Sequence, residues 1–146
     1  MNRIEFNAEE VPLPPWSKAA GVFIRKVLKF LDLDNWELSV LFCGNKYIKS
    51  LNTKFRNKNE ATDVISFPLG EMSPEGRFLA GDIVVSLDAL EENAGFFGVS
   101  VNEELRRLLV HGILHLKGED HKTNGKGEPM LKTQEEILAR ITENIV

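Results

Sequence analysis

The stretch HGILHLKGEDH, residues 111–121, contains all three histidines of this 146-residue chain. His111 and His115 are four residues apart, so on an α-helix they lie one turn apart on the same face. Gly118 suits the left-handed conformation in which helices often end, and a chain that turns back there brings His121 toward the other two. The spacing therefore predicts a helix that ends near Lys117 and three imidazoles that face one metal ion.

Three histidine ligands are typical of a catalytic zinc site, because they leave a fourth position open for water, whereas structural sites close all four. Zinc peptidases of the metzincin kind have the same spacing in the motif HExxHxxGxxH, in which the glutamate is the general base. Gly112 stands at that position here and cannot act as a base. Close packing of the helix against a strand is an alternative reason for Gly112. Asp120, beside His121, is a candidate for orienting a histidine or for binding the metal.

Length and composition predict one globular domain over residues 1–146. The hydrophobic fraction is 42% and the charged fraction 27%, both ordinary for a soluble protein. No apolar run approaches the roughly 20 residues of a membrane helix, the N-terminus has no signal-peptide pattern, and the lone Cys43 cannot form an internal disulfide. We therefore expect a cytoplasmic protein. The net charge of −4 argues against a general nucleic-acid coat but allows a local basic patch.

Hydrophobic patterns predict four strands. They are RIEFN, WELSVLFC, TDVISF and GDIVVS. The third is expected to stop at Pro68, and residues 68–79 are expected to form a loop because they hold Pro, Gly, Ser and Glu. The continuous apolar run of GDIVVS indicates an interior strand.

Five helices complete the predicted order βαβαββααα. Two begin at sequences that favour capping, Ser86 for a helix ending near Gly95 and the capping box SVNE, residues 100–103, for the histidine helix. The others run from Pro14 to about Leu31, over residues 45–56 with Ile48, Leu51 and Phe55 inward, and from Pro129 with Met130, Gln134, Ile137, Ile141 and Ile145 in register. The order predicts an α+β domain with a four-stranded mixed sheet packed by helices.

A basic stretch, NKYIKSLNTKFRNKN over residues 45–59, contains no acidic residue. Its cations are Lys46, Lys49, Lys54, Arg56 and Lys58. Such runs are commonly solvated surface, but in an acidic chain that has a metal site they also suggest a polyanionic ligand. The planar guanidinium of Arg56 fits two phosphate oxygens at once, so Arg56 and a zinc site together point to phosphodiester cleavage.

These motifs resemble those of the YbeY family, metal-dependent endoribonucleases of ribosomal RNA maturation. Residues 111–121 meet every fixed position of the family pattern H-G-x-L-H-L-x-G-x-D-H. LNTKFRNKNEATDVISFP, residues 51–68, resembles a second signature, and GDIVVS, residues 81–86, a third. The departures are mild: Phe55 replaces a usual Tyr, Ala61 a common Pro and Ile65 a Leu.

The resemblance implies a zincin-like fold and one zinc ion per chain, held by His111, His115 and His121. It also implies that Arg56 is needed for activity and stabilises RNA phosphate. The implied substrate is single-stranded RNA, including the 3′ end of small-subunit ribosomal RNA, and the implied partners are ribosomal proteins or an assembly GTPase. The expected nucleophile is zinc-bound water or a ribose 2′-hydroxyl that the site activates.

Two other functions stay open on the residues alone. A metallopeptidase would need a base in place of the missing Glu, and only Glu119 and Asp120 lie near the third ligand. A non-catalytic assembly factor would use the metal to hold its C-terminal helices together. Asp63 and Asp82 fall inside the matched signatures, and each has a structural explanation, since Asp at a strand end commonly bonds local backbone.

Overall fold

One mixed four-stranded sheet, in the order β1-β2-β4-β3, organises the computed structural model, which describes residues 1–123, 125 and 127–146. The strands β1, β2 and β4 run parallel, and β3 pairs antiparallel with β4. The elements follow the predicted order: β1 Arg3–Ala8, α1 Ser17–Phe30, β2 Trp36–Cys43, α2 Asn45–Arg56, β3 Val64–Met72, β4 Phe78–Ser86, α3 Leu87–Phe97, α4 Val101–Leu116 and α5 Pro129–Arg140. The predictions of an α+β fold, a mixed sheet and an interior β4 are confirmed.

The two faces of the sheet carry different clusters of buried side chains. Successive strand residues point to opposite faces, so Ile83 belongs to the main core while its neighbour Val84 belongs to a smaller one. The main core includes Phe23 of α1 and Ile113 of α4, both fully buried. The smaller core includes Ile48 of α2. The helices α2 and α4 therefore cover opposite faces of the sheet.

The loop predicted over residues 68–79 is wrong, because β3 continues to Met72 and β4 begins at Phe78. Proline is tolerated at an edge strand or a bulge, and Pro68 has both, since β3 is an edge and the register shifts between Pro68 and Glu71. Gly81, opposite Pro68, has φ +131°, and a Cβ there would lie 2.1 Å from the Phe67 carbonyl oxygen. Glycine at this position lets the two strands pair past the proline.

The predicted end of the last helix is also wrong. The helix α5 ends at Arg140, although Ile145, five residues further along the chain, is still buried, with 5% of its surface exposed. The guanidinium of Arg106 on α4 donates to the carbonyl oxygens of Leu138 and Ile141, and the side-chain oxygen of Asn102 accepts from the Ile145 amide. Polar side chains of α4 thus satisfy the end of α5 and hold an extended tail in place of another helical turn.

The helix α4 carries the histidines and follows the local signals of its sequence. The Ser100 hydroxyl accepts a hydrogen bond from the Glu103 amide at 3.0 Å, as the capping sequence predicts. Gly118 has φ +104° and turns the chain just after the helix. A Cβ on Gly112 would lie 2.9 Å from Ile83 Cγ2, so this glycine allows close packing of α4 on β4. Among the described residues, no helix is long and apolar enough to cross a membrane.

Candidate active site

The three histidines of residues 111–121 come together at the C-terminal end of α4. His111 and His115 project from the helix, and the turn at Gly118 brings His121 back beside them. One nitrogen from each imidazole lies within 4.8 Å of the other two. The Nε2 atoms of His111 and His115 are 3.1 Å apart.

An oxygen atom lies near the Nδ1 atom of each imidazole. The Nδ1 of His111 is 2.8 Å from Oε1 of Gln134, a side chain of α5, and that of His121 is 2.8 Å from the Thr123 carbonyl oxygen. The Nδ1 of His115 is 4.0 Å from the Asp120 carboxylate, which also accepts from the His121 amide at 2.8 Å. These contacts assign the proton to Nδ1 of His111 and His121 and leave their Nε2 lone pairs free for a ligand.

Burial favours the neutral form of two of the histidines. It lowers the pKa of His111, against the opposing effect of the Gln134 hydrogen bond. Burial is also the main cause that lowers the pKa of His115, and the neighbouring His111 adds to it. A metal ligand must be a neutral imidazole, so the site is prepared for a cation at neutral pH.

The donor set fits a divalent transition metal. Two nitrogens at about 2.0–2.1 Å from a tetrahedral zinc ion stand about 3.3 Å apart, close to the 3.1 Å between the two Nε2 atoms. Histidine ligands of metals commonly donate their second N–H to a carbonyl or carboxylate, and Gln134 and Thr123 supply such acceptors. The cluster can therefore hold a metal ion with three ligands.

The cluster opens into a cleft of about 490 Å³, the histidine cleft. Arg56, the last residue of α2, lies in its lining although α2 and α4 cover opposite faces of the sheet. They meet at the edge strand β3, whose residues Val64–Ser66 also line the cleft. Within the described part of the chain, no ion pair or hydrogen bond engages the Arg56 side chain. The guanidinium and the imidazoles can thus contact one ligand.

The other cations of the basic stretch behave differently. Lys46, Lys49, Lys54 and Lys58 are exposed and lie outside the lining of the cleft. Asn52 is buried, and its amide closes the following loop by donating to the Glu60 carbonyl at 2.9 Å. The inward position predicted for Phe55 is wrong: the side chain is 58% exposed and its ring contacts Phe67 edge-on. Arg56 alone among these cations faces the histidines.

The acidic candidates separate by position. Asp63 and Asp120 line the histidine cleft, whereas Asp82 and Glu119 do not. Asp82 accepts from the Ser39 hydroxyl on β2, and Glu119 pairs with Lys117 at 3.4 Å. Asp63 accepts from its neighbour's amide at 2.8 Å and from Asn93 Nδ2 at 3.0 Å, so its carboxylate is held at the start of β3.

Sequence reasoning did not assign Gln134 to the histidine site, nor Glu104 to the cleft that adjoins it. Gln134 is 6% exposed and Glu104 3%. Burial raises the pKa of Glu104, with nearby Asp63 as the next cause. A signal existed for both, since each is a polar residue on the inward face of an amphipathic helix, but only the packing of α5 on α4 shows that Gln134 reaches His111.

Comparisons with known proteins agree on a family. A family model described as Endoribonuclease YbeY matches residues 3–142. A protein of that name from Treponema denticola is 52% identical over 120 residues, covering 80% of this chain and 77% of the relative. One from Treponema pallidum subsp. pallidum is 40% identical over 144 residues, covering 96% and 90%. The solution structure of TM1509 from Thermotoga maritima matches with a TM-score of 0.65 at 29% identity, covering 94% of this chain and 88% of that one.

Proposed function

Because the chain belongs to the YbeY family of endoribonucleases, we propose that it cleaves single-stranded RNA with one divalent metal ion, zinc, held by His111, His115 and His121. The proposed substrate is ribosomal RNA, including the 3′ end of the small-subunit RNA, and the proposed partners are ribosomal proteins or an assembly GTPase. The observation that carries the proposal is the histidine cleft, which brings Arg56 of α2 to the three imidazoles of the α4 region.

A divalent metal in this position supplies an electrophile for a phosphate oxygen and makes water acidic enough to lose a proton near neutral pH. The imidazoles of His111, His115 and His121 would hold the ion at the wall of the cleft. Gln134 and Thr123 orient the rings of His111 and His121 through their Nδ1 atoms. The chain's own contribution is therefore a rigid set of neutral ligands at the wall of an open cleft.

The phosphate is positioned by Arg56. Its guanidinium donates two parallel hydrogen bonds to phosphate oxygens, where negative charge grows as the nucleophile attacks phosphorus. The nucleophile, a water molecule or a ribose 2′-hydroxyl, forms a new P–O bond while the P–O bond to the leaving ribose oxygen breaks. Asp63 and Asp120 are the carboxylates of the described cleft lining, so they are the candidate acceptors of the nucleophile's proton. The leaving oxygen takes a proton from solvent.

Cleavage assays with and without a chelator test this function. We expect purified protein with about one zinc ion per chain to cut a single-stranded RNA, to lose the activity on chelation, and to regain it when zinc returns. His111→Ala should lose most of its zinc by elemental analysis. A protein substrate in the same assay should stay intact.

Three outcomes would contradict the proposal. Full zinc occupancy in His111→Ala would make the ligand assignment wrong. Cleavage of the protein substrate and not of RNA would indicate a metallopeptidase. RNA affinity that survives chelation, with no cleavage under any condition, would indicate a non-catalytic assembly factor.

A further inference from the structure

A second cleft adjoins the histidine cleft and shares Asp63, Val64 and His111 with it. We call it the side cleft; it encloses about 580 Å³ between α3, α4 and α5. Part of its lining is apolar, with Phe97, Val99, Leu108 and Leu131. Phe97 is 62% exposed, which leaves a large aromatic face uncovered at the mouth of the cleft.

We propose that the side cleft holds one unpaired nucleobase of the RNA, next to the phosphate that occupies the histidine cleft. This inference rests on the proposed function, because it takes RNA as the ligand. Bases of single-stranded RNA are commonly bound by stacking on aromatic side chains, and this contact tolerates any base because every base has a π-face. A nucleotide carries its phosphate and its base on opposite sides of one ribose, so adjoining clefts of different chemistry match its two ends.

The charges of the side cleft favour a base over a second phosphate. Asp63 and Glu104 are carboxyl groups in its lining, and Lys is absent from the lining that the described residues form. Arg107, the cation present, is paired with Glu135. A phosphate in this cleft would meet acidic groups and a cation that is already neutralised. An uncharged aromatic ring has no such repulsion to overcome.

The side cleft is also lined by two buried hydrogen-bonding side chains, Gln134 and Glu104. Gln134 has its oxygen engaged by His111, and no described residue accepts from its Nε2. Glu104 lies in the same lining. Base edges combine carbonyl acceptors with amino donors, and a buried amide and a carboxyl group complement both kinds of group. Because Gln134 also orients His111, it links the occupant of the side cleft to the metal site.

An abasic scan provides the test. The probe is a single-stranded 2′-O-methyl oligonucleotide, confirmed intact by gel, whose bases are removed one at a time, and binding to the zinc-loaded protein is followed by fluorescence anisotropy. We expect removal of one particular base to weaken binding about tenfold, the size typical of one stacked base. Phe97→Ala should weaken binding of the intact oligonucleotide by a similar factor and should show no further loss at that abasic position.

Two variants serve as matched controls. Phe97→Tyr keeps the aromatic face and should bind like wild type. Phe96→Ala removes a ring that contacts Phe97 edge-on at 5.1 Å but lies outside the lining of the cleft, so this variant should retain the abasic penalty. Because Phe97 is mostly exposed, Phe97→Ala should also unfold at the wild-type temperature, which excludes a folding defect as the cause.

The outcomes separate this inference from the proposed function. Wild-type affinity and a full abasic penalty in Phe97→Ala would overturn the base site and leave the cleft to another ligand, such as a protein segment. RNA binding with no penalty at any abasic position would overturn it as well. An abasic signature that depends on Phe97, in a protein that never cleaves RNA, would support the base site while contradicting the nuclease proposal. RNA cleavage by a protein that shows no Phe97-dependent abasic penalty would support the nuclease proposal and contradict the base site.

Discussion

At the scale of single residues, oxygen atoms from two parts of the chain, α5 and the segment after Gly118, orient the imidazoles of His111 and His121. His111 uses a side chain of α5, His121 a backbone carbonyl two residues away, and His115 faces a carboxylate at 4.0 Å. Of these, the Gln134 contact is the most buried and joins the two C-terminal helices. It is therefore the contact whose removal should affect the ring most.

Gln134→Leu tests this contact. The change keeps a side chain of similar size in the interface but removes the acceptor for the His111 Nδ1 proton. Loss of such a partner commonly weakens metal binding 10–100-fold. We expect a loss of that size in zinc affinity, measured by competition with a chromophoric chelator. Gln134→Glu, which keeps an oxygen toward His111, should retain most of the zinc affinity. Equal zinc affinities for wild type and Gln134→Leu would show that the Gln134 contact does not orient the His111 ring.

Arg56→Lys should not restore activity although it preserves the charge. An ammonium group is a point charge and cannot form the two parallel hydrogen bonds of a guanidinium. The lost interaction should cost about 3 kcal/mol in the transition state, on the order of a hundredfold in kcat, with a smaller change in KM. Single-turnover cleavage of a single-stranded RNA measures this, and zinc content should stay unchanged.

The control for Arg56 is Lys49→Ala, which removes a cation of the same helix that lies outside the cleft lining. It should lower the affinity for RNA slightly and leave kcat near wild type. If Arg56→Lys cleaved at the wild-type rate, Arg56 would provide general electrostatic attraction only. If the variant failed to fold, its role would be structural.

At the scale of elements, signals that act within a few residues were predictable. Ser86 and Ser100 cap their helices, and Gly118 turns the chain, because the groups that decide these conformations are neighbours in sequence. Two wrong predictions, the loop over residues 68–79 and the end of α5, concern conformations that depend on residues distant in sequence. Pro68 continues a strand because Gly81 lies opposite, and α5 stops because Arg106 satisfies its last carbonyls.

Gly112→Ala should destabilise the fold even though alanine favours helices. The added methyl would overlap the buried Ile83 side chain, and overpacking of a core costs about 1–3 kcal/mol, while the gain in helix propensity is about 1 kcal/mol. We expect a net loss of up to about 2 kcal/mol in the free energy of unfolding, measured with urea on metal-free protein.

Gly95→Ala is the matched control for this substitution. Gly95 lies on exposed α3 surface, and a Cβ there has no atom within 4 Å. The same change should raise the stability by up to about 1 kcal/mol. Equal effects of the two substitutions would show that α4 does not need a glycine to pack on β4.

At the scale of the whole molecule, metal binding, protonation and folding are linked. The pKa values of His111 and His115 are lowered in the folded protein, so the unfolded chain takes up protons first as pH falls below about 6.5. The contribution of these groups to stability is therefore present above that pH and is lost as pH falls through their lowered pKa values. Protons also displace a metal that binds only the neutral rings.

We therefore expect zinc to raise the unfolding temperature at pH 7 and to lose this effect as the pH is lowered toward 4. Ligand that binds only the folded state stabilises by mass action, so the two melting curves, with and without zinc, should converge in acid. Thermal unfolding followed by circular dichroism measures both. His111→Ala should show no comparable zinc effect at any pH, and zinc that stays bound at pH 4 against a competing chelator would count against a three-histidine site.

Much of the candidate site could be predicted from its sequence, because its three histidines lie within eleven residues and form a local pattern. The residues that surround the histidines could not be predicted in this way. Arg56, Asp63 and Gln134 come from α2, the start of β3 and α5, and their distances from the histidines depend on how these elements pack. The basic stretch suggested several cations, and only the meeting of α2 and α4 at the edge strand selects Arg56.

The parallel pairing of β2 with β4 also has a consequence for the order in which the protein matures during synthesis. These central strands are separated by α2 and β3, so the sheet closes only after a long intervening segment has emerged, and such non-local pairing is slow. The histidine helix packs on that sheet, and Gln134 follows later still on α5. A nascent chain therefore gains the Gln134 contact that orients His111 only after α5 has been synthesised, so a shorter chain carries the histidines without that contact.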